Sequence, residues 1–266
     1  MCSYSSVKPL KLSISPCPND TFMFDAMING RIDTEGLVFD VEYHDIEELN
    51  GGVMASHPDV SKISCAVLPI IVDNYRLLSS GAALGRGNGP LLVRRKGEHG
   101  SINRIAVPGE HTTANALIGR LFPGIKERVP MLFSRIAEAV ERGEFDAGVL
   151  IHEGRFVYER RNLELVADLG VEWERQTSLP LPLGAIVIRR ELSQELYECV
   201  DRVLHRSIEY AFAHPAQSRD YIKAYAQELE DSVIDKHIAL FVNDYSLNLG
   251  DEGRRAIQQL VGLKDF

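Results

Sequence analysis

The chain has 266 residues, of which 45% are hydrophobic and 25% charged, and its formal net charge is −9. This composition is typical of a soluble globular protein with one large domain or two modest ones. The acidic balance argues against a broad nucleic-acid-binding surface. No apolar run approaches the roughly 18 residues of a membrane span. We therefore expect neither nucleic acid nor membrane insertion, and the sequence leaves the oligomeric state open.

The N-terminus and the cysteines both favour a cytoplasmic protein. The first residues lead into a strand pattern and lack the apolar core of a secretory signal peptide. The four cysteines, Cys2, Cys17, Cys65 and Cys199, form no C-x-x-C pair, which weakens zinc-ribbon and redox interpretations. Reduced thiols suit the cytoplasm. Cys17 and Cys65 adjoin candidate site segments, although small buried hydrophobic side chains are the favoured interpretation of both.

Hydrophobic periodicity predicts strands that alternate with helices through the first part of the chain. Two prolines within residues 15–20 break the first strand and precede a helix over 21–29 that ends at Gly30. Period-two alternation and short apolar runs predict strands at 10–14, 37–43, 59–65, 91–94 and 105–107. Helices are predicted at 45–54 and 66–72, the former interrupted by two glycines.

The same rhythm continues to about residue 188, and the remainder is helical. Strands are predicted at 129–133, 147–151, 165–168 and 185–188, with helices ending near 122 and spanning 136–142. Amphipathic spacing predicts C-terminal helices at 192–212, 215–227, 232–242 and 251–261. Strands alternating with helices indicate an α/β fold whose sheets are mixed, mostly parallel and flanked by helices.

The order of the elements predicts two lobes. Single connecting segments near 91–94 and 185–188 separate two βα regions. We therefore expect a discontinuous first lobe of residues 1–93 and 188–266 and a second lobe of residues 94–187. Because ligand pockets favour domain interfaces, the cleft between the lobes is the expected ligand site.

His152, which follows a predicted buried strand, is the main catalytic candidate. Ligands in open α/β sheets gather at the carboxyl ends of strands, and imidazole exchanges protons near neutral pH. The alternative is a histidine that satisfies its hydrogen bonds at a strand end. H-E-x-x-H is excluded because Phe156 stands at the last position, and no G-x-S-x-G elbow occurs. His152 therefore remains as a lone general base, with Glu153 or Arg155 orienting it or facing away.

Two further candidate segments lie in the first part of the chain. Residues 15–21, with Ser15 and Asn19, form a strand-to-helix turn whose amides suit an anion, although helix capping is favoured on local grounds. Lys62 and Ser64 stand at a strand end, where Ser64 can orient a hydroxyl or carboxylate while Lys62 is equally compatible with a solvated position.

Two glycine-containing segments complete the set of candidate loops. Residues 85–90 have neither P-loop nor G-x-G-x-x-G spacing, which argues against a phosphate-binding loop. Their glycines more readily allow turns with positive φ, and we expect these turns to place Arg86 at the cleft. Residues 109–114 lead into a helix, where Thr112 or Thr113 presents either a carboxylate-binding hydroxyl or a helix cap.

Taken in order, these motifs resemble the 1,4-dihydroxy-6-naphthoate synthase family of the futalosine route to menaquinone. The resemblance runs from about residue 10 to the C-terminal helices. The matching segments read S-P-C-P-N-D-T-F at 15–22, K-I-S at 62–64, G-A-A-L-G-R-G at 81–87, V-P-G at 107–109, H-T-T-A at 111–114, I-H-E at 151–153, L-P-L-P-L-G-A at 179–185 and H-P at 214–215.

This resemblance implies a fold like that of the type II periplasmic binding proteins. It also implies conversion of cyclic dehypoxanthinyl futalosine to 1,4-dihydroxy-6-naphthoate with release of a dihydroxyacetone-type fragment, without a metal or organic cofactor. It assigns the general base to His152. The implied substrate contacts are Lys62, Ile63, Ser64, Thr113 and Ala114. Ile63 stands where the family pattern has leucine, which matters little if backbone groups make the contact.

Three other functions remain as alternatives. A non-catalytic protein of the same fold that binds small carboxylates is the first, although His152 has no evident duty there. The sister family that dehydrates chorismate is the second, and the I-H-E and S-P-C-P-N-D-T motifs point away from it. The third is a cytoplasmic ligand sensor, for which no helix-turn-helix segment is evident.

Overall fold

The computed structural model describes residues 8–152, 154–226, 230–264 and 266, and these residues form two mixed sheets flanked by helices. The strands are β1 Leu10–Ile14, β2 Phe39–Tyr43, β3 Val60–Ser64, β4 Tyr75–Leu77, β5 Ala83–Gly85, β6 Leu91–Arg95, β7 Arg104–Val107, β8 Glu127–Pro130, β9 Ala147–Leu150, β10 Leu163–Asp168 and β11 Leu181–Arg189. The helices are α1 Pro18–Ile28, α2 Ile46–Met54, α3 Leu68–Ile71, α4 Thr113–Leu121, α5 Phe133–Glu141, α6 Gly154–Val157, α7 Leu169–Thr177, α8 Gln194–Ala213, α9 Arg219–Tyr225, α10 Asp231–Phe241, α11 Asp244–Leu247 and α12 Gly250–Val261. Short 3-10 turns occupy Cys65–Val67, Tyr158–Arg160 and Pro215–Ser218.

The strand order defines the two sheets. The first sheet runs β2-β1-β3-β11-β4, with β5 also paired to β11, and the second runs β10-β6-β9-β7-β8. The predicted α/β class and mixed sheets are confirmed, but parallel pairing does not predominate. Pairing is parallel for β1 with β2 and β3 and for β7 with β8 and β9. Every pairing that involves β6 or β11 is antiparallel. Each of these two is the first strand that the chain forms after it passes from one sheet to the other.

The chain passes between the two sheets twice, and both predicted lobe boundaries fall inside strands rather than in the connecting segments. Residues 93 and 187 lie within β6 and β11, which belong to the second and the first sheet respectively. We therefore propose that the lobes divide at residues 86–90 and 178–180. Gly89, in the first of these segments, packs against Gly170 in the first turn of α7. A Cβ at Gly170 would lie 2.1 Å from the Asn88 carbonyl oxygen, so a larger residue would force the two chain segments apart.

Most predicted elements are present, with shifted ends. Helix α1 begins at Pro18, before the predicted position, because proline suits the first helical turn. The strand expected over 129–133 ends at Pro130, and Phe133 already starts α5. Helix α7 was not predicted. Its start is capped by Asp168, whose carboxylate accepts from the amides of Gly170 and Val171.

Each sheet has an apolar cluster on both of its faces. One cluster joins β1, α1 and α8, and a second joins β3, α3 and α12 beneath the first sheet. Two further clusters sandwich the second sheet, one with α4 and α7 and one with α5. Helix α10 packs on α1 and so belongs with the first sheet. This packing leaves the loops after the strand ends free to form a site.

Candidate active site

Loops from both sheets enclose one cavity of about 640 Å³, open solvent included. Its walls combine apolar and polar side chains. The lining residues are Asn19, Ile46, Lys62, Ser64, Ala83, Gly89, Pro90, Thr112, Thr113, Ala114, Ile151, His152, Arg155, Leu183, Gly184, His237 and Phe241. Such a wall fits a largely apolar ligand that is oriented by a few polar groups.

The cavity lies at the carboxyl ends of parallel strands from both sheets. The first turn of α1, which follows β1, supplies Asn19, and the end of β3 supplies Lys62 and Ser64. From the second sheet, the loop after β7 leads to Thr113, and the turn after β9 supplies His152. This is the position at which open α/β sheets bind their ligands.

His152 sits on a strained turn. Its φ is +53°, in the left-handed region where a non-glycine residue costs about 1–3 kcal/mol unless its surroundings hold it there. The edge of the Phe133 ring meets the imidazole at a centroid distance of 4.9 Å. On another side, Nδ1 of His152 lies 3.3 Å from Sγ of Cys17. The imidazole is thus held in one orientation by contacts from both lobes.

Burial lowers the pKa of His152 to about 4. The negative charges of Asp20 and Asp45 oppose this shift, whereas the positive charge of Lys62 adds to it. The side chain is therefore neutral at pH 7. A neutral imidazole has one bare nitrogen, which is the form that a general base requires.

A buried chain of hydrogen bonds runs beside the cavity. Lys62 Nζ and Asn19 Nδ2 both donate to Oδ1 of Asp20, at 3.0 and 2.7 Å. Ser15 donates to Oδ2 of the same carboxylate through its hydroxyl and its amide. Oδ1 of Asn19 lies 2.9 Å from Nε2 of His237. Because a carboxylate only accepts, the amide nitrogen of Asn19 faces Asp20, and His237 donates to Asn19 from Nε2.

Close packing brings Lys62 to the cavity wall. Gly184 of β11 pairs with Ser64 in the ladder, and the lysine stem passes over it: a Cβ at Gly184 would lie 2.8 Å from Cε of Lys62 and from the Ile63 carbonyl oxygen. Only glycine leaves room for the lysine stem along this strand. The buried Lys62–Asp20 ion pair therefore depends on the absence of a side chain at Gly184.

Ser64 and helix α4 form the other polar wall. The side chain of Asn50 donates to Oγ of Ser64 at 3.0 Å and accepts from the Ser64 amide at 2.9 Å. The Ser64 hydroxyl proton is therefore available to a ligand. The Thr113 hydroxyl donates to the Leu183 carbonyl oxygen, whereas the Thr113 and Ala114 amides lie in the first turn of α4, where a helix supplies no acceptor for them. An anionic group is favoured at such a helix start.

Comparison with known proteins identifies the family. The sequence profile described as menaquinone biosynthesis matches residues 10–264. The chain belongs to this menaquinone biosynthesis family. A protein of Thermus thermophilus named 1,4-dihydroxy-6-naphthoate synthase is 44% identical over 256 residues, covering 96% of this chain and 93% of the relative. The protein of the same name from Streptomyces coelicolor is 41% identical over 263 residues, with the same coverage. The predicted family is confirmed, and the chain is an enzyme of it.

Solved structures support the fold expected of this family member. A protein of Archaeoglobus fulgidus has a TM-score of 0.90 at 37% identity, covering 95% of both chains. The ligand-binding component of an ABC-type import system from Staphylococcus aureus has a TM-score of 0.73 at 13% identity, covering 96% of this chain and 91% of that one. The second likeness shows the fold alone. The predicted periplasmic-binding-protein-like architecture is confirmed.

Several predicted site residues of this family member line the cavity, and others do not. Lys62, Ser64, Thr113, Ala114, His152 and Asn19 are brought together there. Ile63 is not among the lining residues, and its side chain packs into the apolar cluster beneath β3. Ser15 is buried behind the wall, where it holds Asp20. Arg86 lies on the surface in ion pairs with Glu174 and Glu252 and is not among the residues that line this cavity.

The two candidate cysteines differ in their surroundings. Cys65 lies in the apolar cluster beneath the first sheet, where burial raises the pKa of its thiol to about 12, in keeping with a small buried side chain. Cys17 is also buried, but its thiol contacts His152, which the favoured interpretation did not include. Glu153 lies outside the described residues, and its part in orienting His152 stays a prediction.

The sequence did not identify His237 as a site residue, and it left the role of Arg155 open. His237 shares the buried face of α10 with Val233, Ile234 and Phe241, so a polar residue on an apolar helix face was the available signal. Arg155 donates to the Gly89 carbonyl oxygen at 2.8 Å and to Asp168 at 3.0 Å. It therefore ties the turn after His152 to the crossing between the sheets.

Within the described parts of the chain, no group of three His, Cys, Asp or Glu side chains stands close enough to hold a metal ion. No described helix is both long and apolar enough to cross a membrane.

Proposed function

We propose that the chain converts cyclic dehypoxanthinyl futalosine to 1,4-dihydroxy-6-naphthoate and releases a dihydroxyacetone-type fragment. The observation that carries this proposal is a neutral His152 on a strained turn in the wall of a cavity lined by residues from both sheets. The curated relatives, named for the naphthoate product, support the same reaction.

In this reaction His152 acts as the general base. It removes a proton from the substrate, and the sugar-derived ring then opens. A carbon–carbon bond of the opened ring breaks and the fragment leaves. An enzyme that breaks a carbon–carbon bond in this way is a lyase. Aromatisation of the remaining ring system supplies driving force. The protein therefore needs mainly a positioned base, typically worth about 10²–10⁴-fold in rate, and an enclosed site.

The substrate carboxylate is held by Ser64, Lys62 and the start of α4. Ser64 offers a hydroxyl proton, and Lys62 keeps ammonium protons beyond the one directed at Asp20. The amides of Thr113 and Ala114 add the donors of a helix start. The apolar lining residues, such as Phe241, Leu183 and Ile46, suit the ring system. No cofactor is part of this proposal.

The test is direct incubation of the purified chain with cyclic dehypoxanthinyl futalosine. We expect the naphthoate to appear in an amount equal to the substrate consumed. Unchanged substrate with wild-type protein that binds the naphthoate would instead favour the alternative, a carboxylate-binding protein without catalysis. The cytoplasmic location remains a prediction from the sequence.

A further inference from the structure

The proposed base is held by a residue of the other lobe. Cys17 follows β1 of the first sheet, whereas His152 follows β9 of the second, and 135 positions separate them in the chain. Their side chains nevertheless meet, with Cys17 Sγ 3.3 Å from His152 Nδ1. The full surroundings of the imidazole therefore exist only when the lobes are together.

The position of the thiol is set within the first lobe. Cys17 stands between Pro16 and Pro18, which restrict the backbone on both sides. Its amide donates to Oγ of Ser15, and its carbonyl oxygen accepts from the amide and the hydroxyl of Thr21, each at 3.0 Å. The side chain is 5% exposed. The sulfur therefore has a fixed position, and it contacts the imidazole there.

His152 has one nitrogen left for a ligand. Nδ1 faces Cys17, so the chemistry at the cavity falls to Nε2. A neutral imidazole carries a single proton, and a base needs its lone pair on the reacting nitrogen. The proton of the resting imidazole then belongs on Nδ1, where it points at the sulfur.

We propose that Cys17 is the positioning residue of the general base. Its sulfur accepts a hydrogen bond from Nδ1–H of His152 and so leaves the Nε2 lone pair for the substrate. This inference rests on the proposed function because it takes His152 as the base. Cys17 contacts neither the substrate nor the reacting atoms in this arrangement, and it acts through the tautomer and the orientation of the imidazole.

The surroundings of the sulfur favour this role. Cys17 is the N-cap of the eleven-residue helix α1, and its side chain makes no hydrogen bond to the amides of that helix start. When His152 takes the substrate proton at Nε2, both of its nitrogens carry hydrogen, and the bond from Nδ1 becomes charge-assisted. The contact is therefore stronger after proton removal than before it, which is how a positioning group raises kcat.

The kinetic test compares Cys17→Ala with Cys17→Ser. We expect Cys17→Ala to lower kcat about threefold to tenfold with little change in KM, as for the loss of one hydrogen bond of ordinary strength. Cys17→Ser keeps a smaller acceptor and should fall between Cys17→Ala and wild type. Cys199→Ala removes another buried thiol, in α8 near Glu35, and serves as the matched control with wild-type kcat. Equal kcat values for wild type and Cys17→Ala would overturn the proposal.

Nitrogen-15 NMR of labelled histidine tests the tautomer without turnover. At pH 7 we expect wild-type His152 to show a protonated Nδ1 and a bare Nε2, assigned by comparison with a His152→Asn sample. In Cys17→Ala the balance should shift toward the Nε2–H tautomer. A protonated Nε2 in the wild-type protein would overturn the proposal whatever the kinetics show. A wild-type protein with the expected tautomer but without turnover would instead contradict the proposed function, and the hydrogen bond from His152 to Cys17 would stand only as a structural contact.

Discussion

Glu47 and His111 contact each other next to the cavity-lining residues Ile46 and Thr112. Oε1 of Glu47, in the first turn of α2, lies 2.7 Å from Nδ1 of His111 in the loop before α4. The same carboxylate accepts from the backbone amides of Glu110 and His111, each at 3.1 Å. Because α2 packs on the first sheet and α4 on the second, this contact links the two lobes beside the substrate site.

We predict that Glu47→Gln weakens lobe closure. The substituted amide keeps one acceptor oxygen but loses the charge that holds three donors. KM for the substrate should rise about threefold to tenfold, corresponding to roughly 1 kcal/mol for a partly exposed hydrogen bond. Glu195→Gln, at an exposed position in the first turn of α8, is the control. If both variants had wild-type KM in a steady-state assay, this link would have no role in binding.

His152→Asn should abolish most turnover while leaving the fold intact. Asparagine tolerates the left-handed backbone at φ +53° better than alanine does, but it cannot take a proton at neutral pH. We expect kcat to fall by about 10²–10⁴-fold, the usual contribution of a general base. His152→Ala should be equally inactive and less stable. Near-normal kcat in a variant with a wild-type circular dichroism spectrum would remove the base assignment.

The pKa of His152 predicts a particular pH dependence. Burial lowers its pKa to about 4 in the folded chain, against 6.5 for an ordinary histidine. Between pH 6.5 and 4 the unfolded chain therefore binds a proton that the folded chain does not, so the free energy of unfolding falls as the pH drops through this window. Urea midpoints measured from pH 7 to 4 should decline less steeply in His152→Asn. The contribution of His152 to kcat/KM should persist down to about pH 5. An acid limb near pH 6.5 that disappears in the variant would contradict the shift.

Ser64→Ala should weaken binding of the naphthoate product about threefold to tenfold, as for one lost hydrogen bond. Thr113→Val should weaken it less, because the Thr113 hydroxyl already donates to the Leu183 carbonyl oxygen and its amide remains. Titration of each variant with 1,4-dihydroxy-6-naphthoate, alongside thermal melts, checks both statements. Unchanged affinity in Ser64→Ala would exclude its hydroxyl from the ligand contacts.

Two variants of His237 separate its hydrogen bond from its bulk. Burial holds the pKa of His237 well below its usual value, and His152 in its protonated form, Lys62 and Arg155 add to this shift. His237→Gln places an amide nitrogen where Nε2 stood and should keep the bond to Asn19. His237→Leu leaves the Asn19 oxygen buried without that donor, so the free energy of unfolding should drop by about 1–3 kcal/mol. Equal denaturant midpoints for the two variants would show that the bond contributes nothing.

Much of the site could be read from local sequence. Period-two and period-3.6 patterns located most strands and helices, because side chains alternate along a strand and recur along a helix at fixed intervals. The apolar run before His152 placed this residue at a strand end. Because ligand pockets favour domain interfaces, the loops that carry Asn19, Ser64 and Thr113 were expected at the cleft between the lobes.

Other parts of the site and fold could not be predicted from local sequence patterns. Arg86 was expected at the cleft because glycines flank it, but glycines define only a turn, and Glu174 and Glu252 draw the side chain to the surface. His237 lies on a helix whose periodicity was recognised, yet nothing nearby in sequence marks Asn19 as its partner, 218 positions away. The boundaries at 93 and 187 stay predictions, and local patterns could not place them relative to the sheets, because strand pairing between distant segments decides which sheet a strand joins.

By itself, the sequence determined the element types, the strand-end loops and a histidine at one of them, because each depends on residues within a few positions of one another. Only the tertiary structure decided that Cys17 faces Nδ1 of His152, that Asp20 orients Asn19 toward His237, and that Glu47 links the lobes at His111. These contacts join residues more than forty positions apart, except between Asn19 and Asp20. They arise from packing two sheets around one cavity, which no periodic pattern along the chain encodes.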